Sequence, residues 1–270
     1  MKRFEDLTIT DDFMFCKLLQ NNPDISQKIV ELVTGKEIGG IITCEKQHPI
    51  EITANGKGVR MDVFLKDDEN TVYNIEMQTT NRGNIPRRAR YYQSMIDVEL
   101  AERGSKYNDL NDSYVIFFMT SDPFKVNEPI YTFENTCIER PSLALNDGTR
   151  KIVVNINGIS DIINLELRAL LDYMRGQGPS SELTAKIDEG ITQVKHNEHW
   201  RGEFMTLREH YEIERDEGRE EGRVEGRAKA VVSAVEALVS NMDWPLEQAC
   251  KALNFTLEEY NTAKEQMIGN

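Results

Sequence analysis

Two carboxylates and an amide lie on neighbouring stretches of this 270-residue chain: Asp62 in Val59-Arg60-Met61-Asp62-Val63-Phe64-Leu65, and Glu76 and Gln78 in Val72-Tyr73-Asn74-Ile75-Glu76-Met77-Gln78. Both stretches alternate in the manner of strands, whose side chains point to opposite faces in turn. Asp62 then shares a face with Arg60 and Phe64, opposite the row Val59, Met61, Val63 and Leu65. Glu76 shares one with Asn74 and Gln78, opposite Tyr73, Ile75 and Met77. The polar turn Asp67-Asp68-Glu69-Asn70 makes an antiparallel hairpin the economical connection. With the turn centred on Glu69, paired residue numbers sum to 138, and Asp62 faces Glu76 at about 5 Å between Cβ atoms. A sum of 137 would set Asp62 against Ile75 and place a charge on the apolar side. Two carboxylates held that close repel, raise a pKa or share a cation. Oxygen ligands of this kind suit Mg²⁺ or Mn²⁺. From the hairpin alone a second reading stands beside this one, a solvated hairpin whose outer face carries acids.

The surrounding elements must hold the hairpin in place. Residues 11–20 and 24–34 read as helices, broken at Asn22-Pro23 and ended by Gly35. Thr10 reads as the N-cap of the first, with Asp11 and Asp12 in its first turn, where carboxylates favour the positive helix end. A strand at 41–43 or 50–53 leads into the hairpin, and a helix over 87–103, closed by Gly104, follows it. The run 113–119 is too continuously apolar for a sheet edge and reads as a central strand. Strand, helix, strand in that order makes a parallel right-handed crossover. The expected fold class is therefore α/β, with an α-β-β-β-α-β core and a mixed sheet. Further short strands at 129–133, 136–138 and 151–155 extend the sheet, and residues 159–173 begin a helical region.

Gly176-Gln177-Gly178-Pro179 marks a boundary, after which composition shifts to helix formers and charge. The expected division is a domain at 1–175, a helical region at 180–240 and a small helical module at 243–270. Within the second lies a four-residue repeat, Asp216-Glu217-Gly218-Arg219, Glu220-Glu221-Gly222-Arg223, Val224-Glu225-Gly226-Arg227. On a helix it pairs Asp216 with Arg219 and Glu220 with Arg223, and each glycine costs roughly 1 kcal/mol of helix stability. A long solvated helix that self-associates and a flexible charged linker are both open. The tail reads as two short helices, the second capped by Thr256.

Four segments in this order resemble the PD-(D/E)XK nuclease superfamily: Thr10-Asp11-Asp12-Phe13-Met14-Phe15, Gly58-Val59-Arg60-Met61-Asp62-Val63, Asn74-Ile75-Glu76-Met77-Gln78 and Arg87-Arg88-Ala89-Arg90-Tyr91-Tyr92-Gln93-Ser94. More narrowly they look like the Rpn group of recombination-promoting nucleases, also labelled transposases, over a stretch that runs to about Asn157. The resemblance implies a restriction-endonuclease-like fold and Mg²⁺-dependent hydrolysis of DNA phosphodiesters in recombination or mobile-element biology. It implies metal ligands at Asp62 and Glu76, with the backbone carbonyl near Met77 as a further one. It places Gln78 where the superfamily has a lysine. Glutamine orients a water but offers no positive charge to the phosphate. Asp12 matches the start of the related proteins, beside its reading as a first-turn helix acid.

Between Arg82 and Gln93 the chain carries Arg82, Arg87, Arg88 and Arg90 and no acid, next to Tyr91 and Tyr92. Arginines beside aromatics suit nucleic acid, and Arg60, Arg87, Arg88 and Tyr92 are the candidate contacts. The alternative is a solvated helix face with the tyrosines packed on the sheet. The whole chain pulls against lasting DNA binding: 32 basic against 46 acidic residues give a net charge of −14. That imbalance and Gln78 support the other function in view, a weak or inactive nuclease-fold protein that binds nucleic acid or assembles through its C-terminal helices. Cys16, Cys44, Cys137 and Cys250 are scattered, which fits buried thiols in a reducing compartment, and His196 and His199 lack the neighbours a zinc site needs. No apolar run approaches the roughly 20 residues that span a bilayer, so the expected location is the cytoplasm, with no membrane partner.

Overall fold

The apolar rows of the hairpin and of residues 113–119 need cover on both sides, and helices supply it. The computed structural model describes residues 2–50, 59–80, 83–101, 106–160 and 163–268, with side chains described throughout except at 45–50, 59–60 and 268. Six strands pair in the order β1-β2-β3-β4-β6-β5. They are β1 (Ile41–Ile50), β2 (Val59–Asp67), β3 (Val72–Gln78), β4 (Ser113–Met119), β5 (Ile130–Phe133) and β6 (Thr149–Asn155). The first three form an antiparallel meander, β3 to β4 and β4 to β6 are parallel, and β5 returns antiparallel to β6. With α1 (Asp12–Asn21), α2 (Pro23–Thr34) and α3 (Ile85–Leu100), this is the expected α/β core and mixed sheet.

Three local expectations change. The N-cap of α1 is Asp11 rather than Thr10. The Asp11 carboxylate turns back to accept from the Thr8 N–H (2.7 Å) and hydroxyl (3.0 Å), and the Thr10 hydroxyl is engaged with that of Thr8. The first strand is longer than either expected window; the part of the second window at 51–53 lies outside the described residues, as do Arg82 and the closing Gly104. No strand forms at 136–138. Thr136 makes an isolated bridge to Ala144, because the Cys137 N–H bonds to Leu143 and the Leu145 N–H to Asn135, folding this segment on itself.

On one face of the sheet Phe15 of α1 packs against Phe118, ring centroids 5.6 Å apart. On the other, Ile85, Ala89, Tyr92 and Ile96 of α3 recur at helical spacing and bury Phe64, Val72, Val115 and Phe117. Met61 joins this second cluster although alternation assigns it to the opposite row. Strict alternation ends with the last ladder pair of the hairpin, Val63 and Ile75.

The chain divides into two compact units, Met1–Arg201 and Gly202–Asn270. In the first, α5 (Glu182–Lys195) packs on α1, α2 and α4 (Leu165–Met174), so the turn at 176–179 lies inside that unit. In the second, Ala228, Val231, Val232 and Val235 of α6 (Glu198–Met242) form a core with α7 (Leu246–Ala252) and α8 (Leu257–Ile268). Thr256 caps α8: its hydroxyl accepts from the Glu259 N–H (3.1 Å), and the Glu259 carboxylate accepts from the Thr256 N–H (2.8 Å). Among the described residues no helix is long and apolar enough to cross a membrane.

The glycine repeat is helical throughout and exposed. Arg223 pairs with Glu220 as expected, whereas Asp216 meets Arg215 at 3.5 Å. A Cβ at Gly218, Gly222 or Gly226 would meet nothing within 4 Å. Changing all three to alanine is therefore expected to strengthen the helix by about 1 kcal/mol per site. Circular dichroism melting checks this, and a lower melting temperature would mean that another surface approaches these glycines closely.

Candidate functional site

The hairpin ladder pairs Val63 with Ile75, Phe64 with Asn74, Leu65 with Tyr73 and Lys66 with Val72. Each pair sums to 138, the register that keeps charge off the apolar side. One step further, at Asp62 and Glu76, the backbone ladder stops and side chains take over. The Glu76 Oε1 accepts from the Asp62 N–H at 3.1 Å, and the Asp62 Oδ2 accepts from the Met77 N–H at 3.1 Å. Each carboxylate thus satisfies a backbone donor of the opposite strand, which would otherwise be orphaned as the strands part. The same bonds hold both acids at the opening.

Helix α3 closes over this opening. Glu76 is 0 % exposed, as is Asn74 two residues before it on the same face. Arg88 reaches down from the second turn of α3. Its Nη2 donates to the Glu76 Oε2 at 2.7 Å, its Nη1 to the Gln78 Oε1 at 2.7 Å, and its Nε and Nη2 to the Tyr92 hydroxyl at 2.8 and 2.6 Å. The guanidinium lies over the rings of Tyr92 and Phe117, 4.9 and 5.6 Å from their centroids. Because arginine has no acceptor, the atom of Gln78 that faces it must be the oxygen. The Gln78 nitrogen then donates to the Met77 carbonyl at 3.0 Å. The side chain of Gln78 is clamped at both ends.

Asp12, the first residue of α1, lies near enough to Asp62 for the two carboxyl groups to act on each other's ionisation. Asp12 keeps exposed surface and is the outermost of the three acids. All three are hard to ionise together. Burial is the main cause that pushes Asp62 up, followed by the charges of Glu76 and Asp12. Burial also lifts Glu76, against the opposing pull of Arg88. Asp12 is raised mainly by desolvation, with the neighbouring Asp62 carboxyl group working the other way.

Three ionised carboxylates around one guanidinium would leave an excess of two negative charges, and the pKa of each acid is raised. A hard divalent cation would relieve that excess, and the donor set is all oxygen. Among the described residues no three His, Cys, Asp or Glu side chains stand in an arrangement that holds a metal by themselves. Asn74, fully buried two residues before Glu76 on the same face, adds a polar side chain that favours the ionised form of Glu76.

The sequence-derived candidates therefore separate. Asp12, Asp62, Glu76, the Met77 backbone, Gln78, Arg88 and Tyr92 come together. Arg87 and Arg90 stay exposed on the outside of α3. The strand that carries Arg60 leads to the same end of the sheet, but its side chain lies outside the described residues. The sequence pointed Arg88 outward and left Tyr92 between a nucleic-acid contact and packing on the sheet; Tyr92 is buried, as the packing reading has it, and Arg88 is turned inward onto the two strand residues. The missed signal is the spacing Ile85, Ala89, Tyr92, Ile96, which makes that side of α3 the buried one. Asn74 was likewise passed over.

A family model described as PD-(D/E)XK nuclease family transposase matches residues 10–155. Neither the curated proteins nor the solved structures yield a match. The matched residues run from the start of α1 to the end of β6 and carry the whole sheet, the parted hairpin and the acids at its opening. The chain belongs to the PD-(D/E)XK nuclease family of transposases.

Proposed function

We propose that the protein is an endonuclease that hydrolyses DNA phosphodiesters with Mg²⁺, for which Mn²⁺ can substitute, in recombination or mobile-element activity. The observation that carries this reading is the pair Asp62 and Glu76, each fixed by a backbone N–H of the opposite strand, Met77 for Asp62 and Asp62 for Glu76, at the open end of the hairpin with more negative charge than Arg88 balances. Asp62, Glu76 and the Met77 carbonyl would hold the ion. When bound it lowers the pKa of water and neutralises charge on the phosphate. The remaining work belongs to side chains. Gln78, held between Met77 and Arg88, orients the attacking water, and Asp12 adds a third carboxylate at the outer side of Asp62. Arg87 on the outside of α3, with the inward Arg88 and Tyr92, lines the approach of the DNA backbone, and Arg60 is the further contact that the sequence offers. The cytoplasm suits its free thiols.

The test is nicking of supercoiled plasmid in Mg²⁺, Mn²⁺ and EDTA. We expect cleavage with either metal, none in EDTA, and none from Asp62→Ala or Glu76→Ala. Cleavage that survives both substitutions rejects this site. A second reading, a weak or inactive member that binds nucleic acid or assembles through α6, α7 and α8, is favoured by the net charge of −14 and by Gln78. Retained DNA binding without nicking by the unaltered protein would select it.

A further inference from the structure

The family description names a lysine two residues after the second acid, and this chain has Gln78 there. A glutamine accepts and donates hydrogen bonds but brings no charge. The positive charge of the site instead comes from another element. Arg88 enters from α3 and bonds Glu76 and Gln78 together, each at 2.7 Å.

Its attachment is unusually complete. Tyr92, one helical turn on, binds both Nε and Nη2 through its hydroxyl, and the ring of Phe117 lies beneath the guanidinium. Phe117 sits beside Glu76 in the β3 to β4 register, so one strand pair supplies both the floor and the carboxylate. These bonds engage four of the five guanidinium N–H groups, and among the described residues the second hydrogen of Nη1 has no acceptor. That hydrogen lies on the nitrogen that touches Gln78.

We propose that Arg88 is a catalytic residue that takes over from α3 the role of the absent lysine, contacting the scissile phosphate through Nη1 as negative charge grows on it. This rests on the hydrolase reading above. In the step served, the oxygen of water bonds to phosphorus as the bond from phosphorus to the leaving sugar oxygen breaks. The electron pair stays on that oxygen, which takes a proton from solvent while the attacking water gives one up. Arg88 donates without losing its proton, as a guanidinium must, and Gln78 holds it in line.

The test exchanges the two positions. Arg88→Ala should lower kcat about 100- to 1,000-fold, the usual cost of one fixed donor to a developing oxyanion, and change the KM for DNA less than about threefold. Arg88→Lys should retain an intermediate rate. Adding Gln78→Lys to Arg88→Ala should recover at least about tenfold in kcat, because the charge returns from β3 instead of α3. Thermal unfolding of the same variants in EDTA provides the second measurement. Gln78→Lys should restore melting temperature lost in Arg88→Ala, since both cations neutralise buried Glu76. An unchanged kcat in Arg88→Ala, or an exchange variant that folds yet recovers neither rate nor stability, overturns the proposal. If the unaltered protein cuts nothing while the exchange still restores stability, the hydrolase reading fails and Arg88 is a structural counter-ion only.

Discussion

Asp62→Asn is expected to make the metal-free protein more stable and to abolish its response to Mg²⁺. The sign follows from the proton. Burial, Glu76 and Asp12 push the Asp62 pKa up to about 9 in the folded protein, far above its value in an unfolded chain. The folded state therefore binds more protons, and its stability falls as pH rises from about 4 towards 9. Asparagine removes that dependence and keeps the acceptor: its oxygen can accept from the Met77 N–H, and its nitrogen brings a donor beside Asp12 in place of a second charge. We expect a gain on the order of 2 kcal/mol at pH 7–8 after allowing for the solvent that still reaches Asp62, or a rise in melting temperature of about 4–8 °C. Near pH 4 the two proteins should melt alike. Mg²⁺ should raise the melting temperature of the unaltered protein by preferential binding to the folded state, and leave Asp62→Asn unmoved. Calorimetry in EDTA at several pH values decides it; a variant that melts lower at pH 8 means that Asp62 sits comfortably ionised and the charge argument is wrong.

Phe117→Ala should damage stability and chemistry together. Phe117 is fully buried in the sheet under α3, its ring 6.0 Å from that of Tyr92 and 5.6 Å from the Arg88 guanidinium. Truncating a buried phenylalanine costs about 3–5 kcal/mol through lost burial and the cavity left behind. Here the cavity opens under the residue that pairs with Glu76. We expect a fall in melting temperature of about 6 °C or more, and a larger loss of nicking rate than the fraction unfolded explains. Phe117→Leu, which refills most of the volume, should recover the stability and only part of the rate. Equal recovery of both would show that the ring matters as filling and not as the floor for Arg88.

The parts legible in the sequence were those that a two-residue period fixes. The charge on Asp62 excluded the neighbouring register, the centring of the turn on Glu69 chose the one observed, and four apolar or half-apolar strands in order defined the sheet. Alternation could not say what covers the polar face, because a strand pattern does not reveal whether a helix lies across it. Glu76 therefore read as sitting at an open mouth, whereas α3 buries it and turns Arg88 inward. The orientation of α3 was recoverable from its own apolar spacing, but the arginines beside it argued for solvent. At Asp11 and at 136–138, short side-chain and backbone bonds within a few residues outweighed local propensity, and such bonds leave little trace in composition.

The exchange of backbone bonds for carboxylate bonds at the parted hairpin constrains how this lineage can change. Positions 62 and 76 each owe the opposite strand an acceptor oxygen, whatever chemistry they perform. An alanine at either place leaves a backbone N–H stranded, while asparagine or glutamine supplies the oxygen and sheds the charge. Descendants that give up catalysis should therefore drift first to the amides, keeping the hairpin's shape while its reactivity disappears. A nuclease fold with an amide in place of either acid would be a fossil of the active one, preserved by the bonds that once aimed its carboxylates.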